Sequence, residues 1–172
     1  MGRRRMAEFL RYTSAVLGVE LDASRVLELE DADRLGGVVA AAVQAARVAA
    51  DTGTASVPYA WREDDIPALE VLLRGLAARL PPVRAVYLPP EADFVGGIWL
   101  TPQELLPAAI RLARGREWVE FSTPEGGDGL CLEYDASGAE HGAERPYELM
   151  VWGSVWASRA SQARVELGIT RV

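Results

Sequence analysis

The sequence predicts an α+β fold: a two-layer domain with a mostly antiparallel sheet of about five or six strands and its helices packed on one face. Three observations lead there. Stretches with apolar residues at three- and four-residue spacing are interleaved with short runs that alternate apolar and polar. Two of the alternating runs, 117–122 and 130–135, are separated only by a glycine-rich turn, which marks a hairpin. A chain of 172 residues also buries roughly 70% of its unfolded surface, enough for one core, so 1–172 is taken as a single domain.

Residues 1–5 are basic and expected to be disordered. Residues 6–17 place Met6, Phe9, Leu10, Val16 and Leu17 near one helical face, and Gly18 stops the helix. Residues 25–29 alternate as a strand. Asp31 or Asp33 then caps a longer helix whose stripe is Leu35, Val38, Val39, Ala42, Val43, Ala46 and Ala49. The segment 51–63, rich in small and turn-forming residues, is an internal connection. A second well-marked helix opens at Asp64 and Asp65, buries Leu69, Leu72, Leu73, Leu76 and Leu80, and stops at Pro81-Pro82.

The clearest local signals lie in 83–115, a strand, acidic turn, strand and helix. Residues 84–88 and 94–100 are the strands, with Gly96-Gly97 marking a bulge or a close backbone approach. Thr101 and Glu104 have capping-box spacing, Pro102 falls at the first helical position, and Gly115 suits the C-terminal stop. Pro107 removes a donor and predicts a kink.

In the last third, 117–122 and 130–135 form the hairpin; Leu130, Leu132 and Tyr134 share one face and Cys131, Glu133 and Asp135 the opposite, wetter one. Residues 136–146 are a polar loop, 147–155 a central strand apolar on both faces apart from Glu148, and 157–172 a tail with loose helical spacing.

Composition narrows function mainly by exclusion. The formal charge is −7, and since Arg3, Arg4 and Arg5 contribute three positives, residues 6–172 carry −10. Such a body repels nucleic acid and anionic lipid and attracts basic proteins. All 18 basic residues are Arg, with no Lys and no Asn, a pattern of GC-rich, bacterial coding. The lone Cys131 excludes an internal disulfide and fits a reducing cytoplasm. No apolar run reaches the length of a membrane span.

No catalytic constellation emerges. The one histidine, His141, sits in a polar loop with no neighbouring nucleophile, and nothing basic flanks Cys131. Metal-ligand spacings and phosphate-binding glycine loops are missing, so no metal and no cofactor is expected. Glu91 with Asp93, Glu104, and Glu133 with Asp135 are the carboxylates available for acid–base work. Of the five tryptophans, Trp99, Trp118, Trp152 and Trp156 fall on strands or strand ends in the second half. A patch of Glu91, Asp93, Glu125 and Asp128 with Trp152 and Trp156 would anchor a protein partner.

The expected function is therefore a non-catalytic protein-binding domain that shows an acidic surface to a basic protein. In size, acidity and want of catalytic groups the chain resembles the small stand-alone immunity proteins of bacterial toxin systems, a likeness that covers no motif and transfers no residue. The alternatives are a carboxylate- or metal-dependent enzyme, and a structural domain that homodimerises through its sheet edge.

Overall fold

The computed structural model describes residues 2–55, 57–90, 92–141 and 144–169. The order of elements is α1 (Gly2–Leu17), β1 (Val26–Leu27), α2 (Leu29–Asp51), β2 (Ala60–Trp61), α3 (Ile66–Arg79), β3 (Ala85–Leu88), α4 (Ala92–Val95), β4 (Gly97–Leu100), α5 (Pro102–Leu105), α6 (Ala109–Arg116), β5 (Trp118–Ser122), β6 (Gly129–Tyr134), α7 (Ala136–Glu140), β7 (Tyr147–Trp152) and α8 (Ser154–Glu166). The strands form one sheet in the order β1-β4-β3-β5-β6-β7-β2, antiparallel at every pairing.

The α+β class and the antiparallel sheet are as the sequence predicts. The sheet has seven strands rather than five or six, because two residues of the 51–63 connection pair with β7 as β2. Both edge strands, β1 and β2, are two residues long, which leaves little template for edge-to-edge pairing.

Helices lie on both faces of the sheet, not on one. On the first face, side chains of α1, α3, α5, α6 and α8 join Tyr87, Ile98, Leu100, Val119, Phe121, Leu130, Leu132 and Leu149 in the larger core cluster. On the second, Ala32, Leu35, Val39 and Val43 of α2 pack on Val86, Leu88, Cys131, Met150 and Trp152. The physical reason is visible in β3, whose four residues are all buried, so apolar side chains point both ways and each face needs a cover. Cys131, placed on the wetter face by its strand period, is 1% exposed for the same reason.

Several local expectations shift. Positions 2–5, expected to be disordered, are helical in α1. Residues 92–95, expected in a turn and strand, form α4, and β4 starts only at Gly97. Gly96 has φ +73°, and a Cβ there would stand 2.2 Å from the Leu27 carbonyl oxygen, so β1 approaches β4 over a bare glycine. The kink at Pro107 is real: α5 ends at Leu105 and a 3₁₀ turn, Leu106–Ala108, leads into α6. The capping box forms as well, with Thr101 Oγ1 accepting from Glu104 N at 3.3 Å and Glu104 Oε2 accepting from Thr101 N at 2.8 Å.

Gly115, in contrast, is not the helix stop. The helix runs through it to Arg116, and Glu117 takes the positive φ, 73°. Gly115 instead makes room for Tyr12 of α1, whose hydroxyl would lie 1.9 Å from an added Cβ. The stretch 147–155 divides into β7 and α8, and part of the 136–146 loop is helical as α7. The loosely patterned tail is ordered by packing: Trp156, Ala160 and Ala163 of α8 are buried in the core cluster they share with α3.

Candidate functional site

The register of the sheet assembles a group of carboxylates that are scattered in the sequence. Directly opposed residues of antiparallel strands share a face. Glu120 faces Cys131, which faces Met150; in the next row Trp118 faces Glu133, Glu133 faces Glu148, and Glu148 faces Ala60. Three strands thus bring Glu120, Glu133 and Glu148 onto the face that α2 covers.

One cation answers them. The buried stripe Leu35, Val39, Val43 advances four residues at a time, and the next step on that line is Arg47. Its Nη2 donates to both carboxylate oxygens of Glu133, at 2.9 Å each, and its Nε donates to the Tyr59 hydroxyl at 3.2 Å. Tyr59 in turn donates to Glu148 Oε2 at 2.6 Å. Burial, followed by that bond to Glu148, pushes the Tyr59 hydroxyl up to about 12.

Glu120 stands apart from this network. Among the described residues no hydrogen bond reaches its carboxylate. Burial first, then the negative charge of Glu133, pushes it from its ordinary 4.5 up to about 7. Beside it, burial and then the charges of Glu120 and Glu133 push the Cys131 thiol well above its ordinary value. Cys131 is thus a neutral core thiol, 3.9 Å from a Glu133 oxygen, and not an activated nucleophile.

The network opens outward into a cleft of about 460 Å³ between β5, β6, α7 and the segment that leads into β7. Glu117, Glu133, Asp135 and Glu148 line it, opposed by Arg145, with Trp118 and Tyr134 in its walls. Glu117 enters with its left-handed backbone, a conformation that costs a non-glycine residue on the order of 1 kcal/mol. One Asp135 oxygen accepts from Gly138 N at 2.7 Å and so starts α7 on the cleft rim.

No family model matches the chain. Comparison with curated proteins and with solved structures likewise gives no match.

The structure disperses the patch expected from sequence. Trp152 is buried, 8% exposed, with its indole N–H donating to Gly126 O at 3.0 Å. Trp156 is 4% exposed and packs on Phe121 with ring centroids 5.5 Å apart. Both are core side chains and not surface anchors. Asp128 has a structural task, since its Oδ1 accepts from Val155 N at 2.8 Å and Trp156 N at 2.9 Å and caps α8. Glu125 is exposed on the hairpin turn. Glu91 lies outside the described residues, and the backbone at Asp93 lies in α4.

Of the carboxylates singled out for acid–base work, Glu133 and Asp135 do reach the cleft, whereas Glu104 is held in its cap and by Arg25 at 2.8 Å. His141 is exposed at the end of α7, its Nδ1 2.7 Å from Ser137 O. No group of three His, Cys, Asp or Glu side chains among the described residues is arranged to hold a metal ion. No helix among them is long and apolar enough to cross a membrane. Sequence reasoning missed Arg47, Tyr59, Glu120 and Glu148. Only Arg47 had a signal, its place on the continued apolar stripe, where a guanidinium predicts a carboxylate beneath.

Proposed function

We propose that this chain is a non-catalytic binding protein that offers its acidic cleft to a basic segment of a protein partner. The observation that carries this reading is the cleft lining: Glu117 and Asp135 stand beside the indole of Trp118, with Glu133, held by Arg47, and Glu148, held by Tyr59, behind them and Arg145 as the guanidinium in the lining. An aromatic ring next to carboxylates suits the cationic head and apolar stem of arginine or lysine. The charge of −10 over residues 6–172 adds a long-range field of the same sign. The position of the site moves from the turn residues foreseen in the sequence to the open end of the β5–β6–β7 face.

A pull-down from a lysate of the source cells tests it, run in parallel with wild type and a Glu117→Lys, Asp135→Lys double variant. Wild type should retain a basic protein at low salt that the variant loses. Retention of nothing, or equal retention by both, would sink the proposal.

A second reading, a carboxylate-dependent enzyme, has one observation in its favour, the Glu120 carboxyl titrating near neutrality. Glu120 is not among the residues that line the cleft. The binding reading explains more of the site.

A further inference from the structure

One carboxyl group lies just behind the acidic cleft without lining it. Alternate residues of a strand share a face, so Glu120 follows Trp118 along β5 on the side that α2 covers. Trp118 lines the cleft, whereas Glu120 stands one step further in, half-buried. Across β6 its directly opposed neighbour is Cys131, and its diagonal neighbour is Glu133, which does line the cleft. Diagonal neighbours of an antiparallel pair are about 7–8 Å apart, near enough for two partly buried carboxyl groups to repel when both are ionised.

The surroundings single out Glu133 as the charge that acts on Glu120. On β3 the opposed residue is Leu88, and Trp118 and Ser122 on its own strand are uncharged. Cys131 on β6 is a neutral thiol. Arg47 of α2 donates to Glu133, and Glu148 of β7 accepts from the Tyr59 hydroxyl. Among the described residues no side chain or amide pairs with the Glu120 carboxyl, which burial and the charge of Glu133 lift to about 7. Glu133 is therefore shared, since it lines the cleft on one side and sets the charge felt by Glu120 on the other.

We propose that Glu120 makes the cleft proton-linked: a cation seated beside Glu133 offsets that carboxylate's charge, and Glu120 then releases its proton to water. The proposal rests on the reading that the cleft binds a basic segment, and adds to it regulation by pH. Such coupling is reciprocal, so a proton on Glu120 weakens the bound cation as much as the cation weakens the proton. Basic segments therefore bind more tightly above neutrality than below it.

The test is calorimetric titration of the full chain with a short oligo-arginine peptide at low salt, in two buffers of different ionisation heat. Wild type should bind about threefold more tightly at about pH 8 than at about pH 6, and release a fraction of a proton in between. Glu120→Gln should bind with neither the slope nor the release. His141→Gln, which removes the imidazole at the end of α7, should keep both. In wild type the carboxyl carbon resonance of Glu120 should titrate at lower pH with the peptide than without it, a readout that needs no variant. No proton release by wild type, or a release that persists in Glu120→Gln, overturns the linkage and leaves the cleft reading standing. Failure of the peptide to bind wild type at any of these pH values overturns both.

Discussion

At the scale of single residues, Glu120 is the group whose protonation the fold alters most usefully. Its carboxyl rises from 4.5 to about 7, so the folded state holds the proton more tightly than the unfolded chain does. Stability from this source is full in acid, falls as pH rises between about 4.5 and 7, and is level above that. Glu120→Gln removes the slope. At about pH 8 the variant should be more stable than wild type by roughly 2 kcal/mol, a figure reduced for partial exposure, and the gap should close toward about pH 4. Urea unfolding of both proteins across that range measures it. A wild-type slope that persists in the variant would show that another group is responsible.

None of this was legible in the sequence. Glu120 alternates with Val119 and Phe121 like any solvent-facing strand residue. Its burial comes from α2, which begins some 90 positions earlier in the chain, and its neighbour Glu133 is supplied by the next strand. Glu104 makes the contrast. Its role was legible because its partner Thr101 is three residues away, within the reach of one helical turn.

At the scale of elements, α2 is the part on which the candidate site depends. Its buried stripe fixes the helix on the sheet, and Arg47 closes the far end by bridging Glu133 and, through Tyr59, Glu148. These side chains are each about a third exposed, Arg47 at 36% and Glu133 at 35%, so the pairing is partly screened by water. Arg47→Met, which keeps the stem and removes the guanidinium, should lower stability by about 1 kcal/mol at neutral pH. The loss should shrink as salt screens the pairing, so chemical denaturation at low and high salt checks it, and an equal loss at both would show that the charge is not what matters.

The elements themselves were mostly readable. The helices at α2, α3 and α5–α6 and the β5–β6 hairpin follow from periodicity, capping and turn chemistry, all of which act within a few residues. The errors share one cause. Gly115 suits a helix stop because glycine tolerates positive φ, yet it serves the approach of Tyr12 from α1, a contact across about 100 residues. Residues 157–166 lacked a strong stripe, and become helical on the surface that α3 and the sheet provide.

At the scale of the whole molecule, the proposed encounter with a basic partner is a matter of charge. With −10 spread over residues 6–172, association with a basic partner should be steered over a range set by salt. The association rate should fall about tenfold or more between roughly 20 and 200 mM NaCl, with the dissociation rate changing much less. Stopped-flow or surface-binding kinetics with the captured partner would show it. A rate independent of salt would mean that the acidic field does not select the partner.

By itself the sequence determined the class, the antiparallel hairpin, the main helices with their caps and the Pro107 kink, because each is set by groups a few residues apart. It also determined the formal charge, a sum over residue types. Only the tertiary structure decided which face each helix covers, that Trp152 and Trp156 are core, that Asp128 caps a helix 27 residues on, and that Glu133, Glu148 and Arg47 meet. Those outcomes depend on strand order and on burial by distant elements. A period-2 strand shows that its two faces differ, but not which of them another part of the chain will cover.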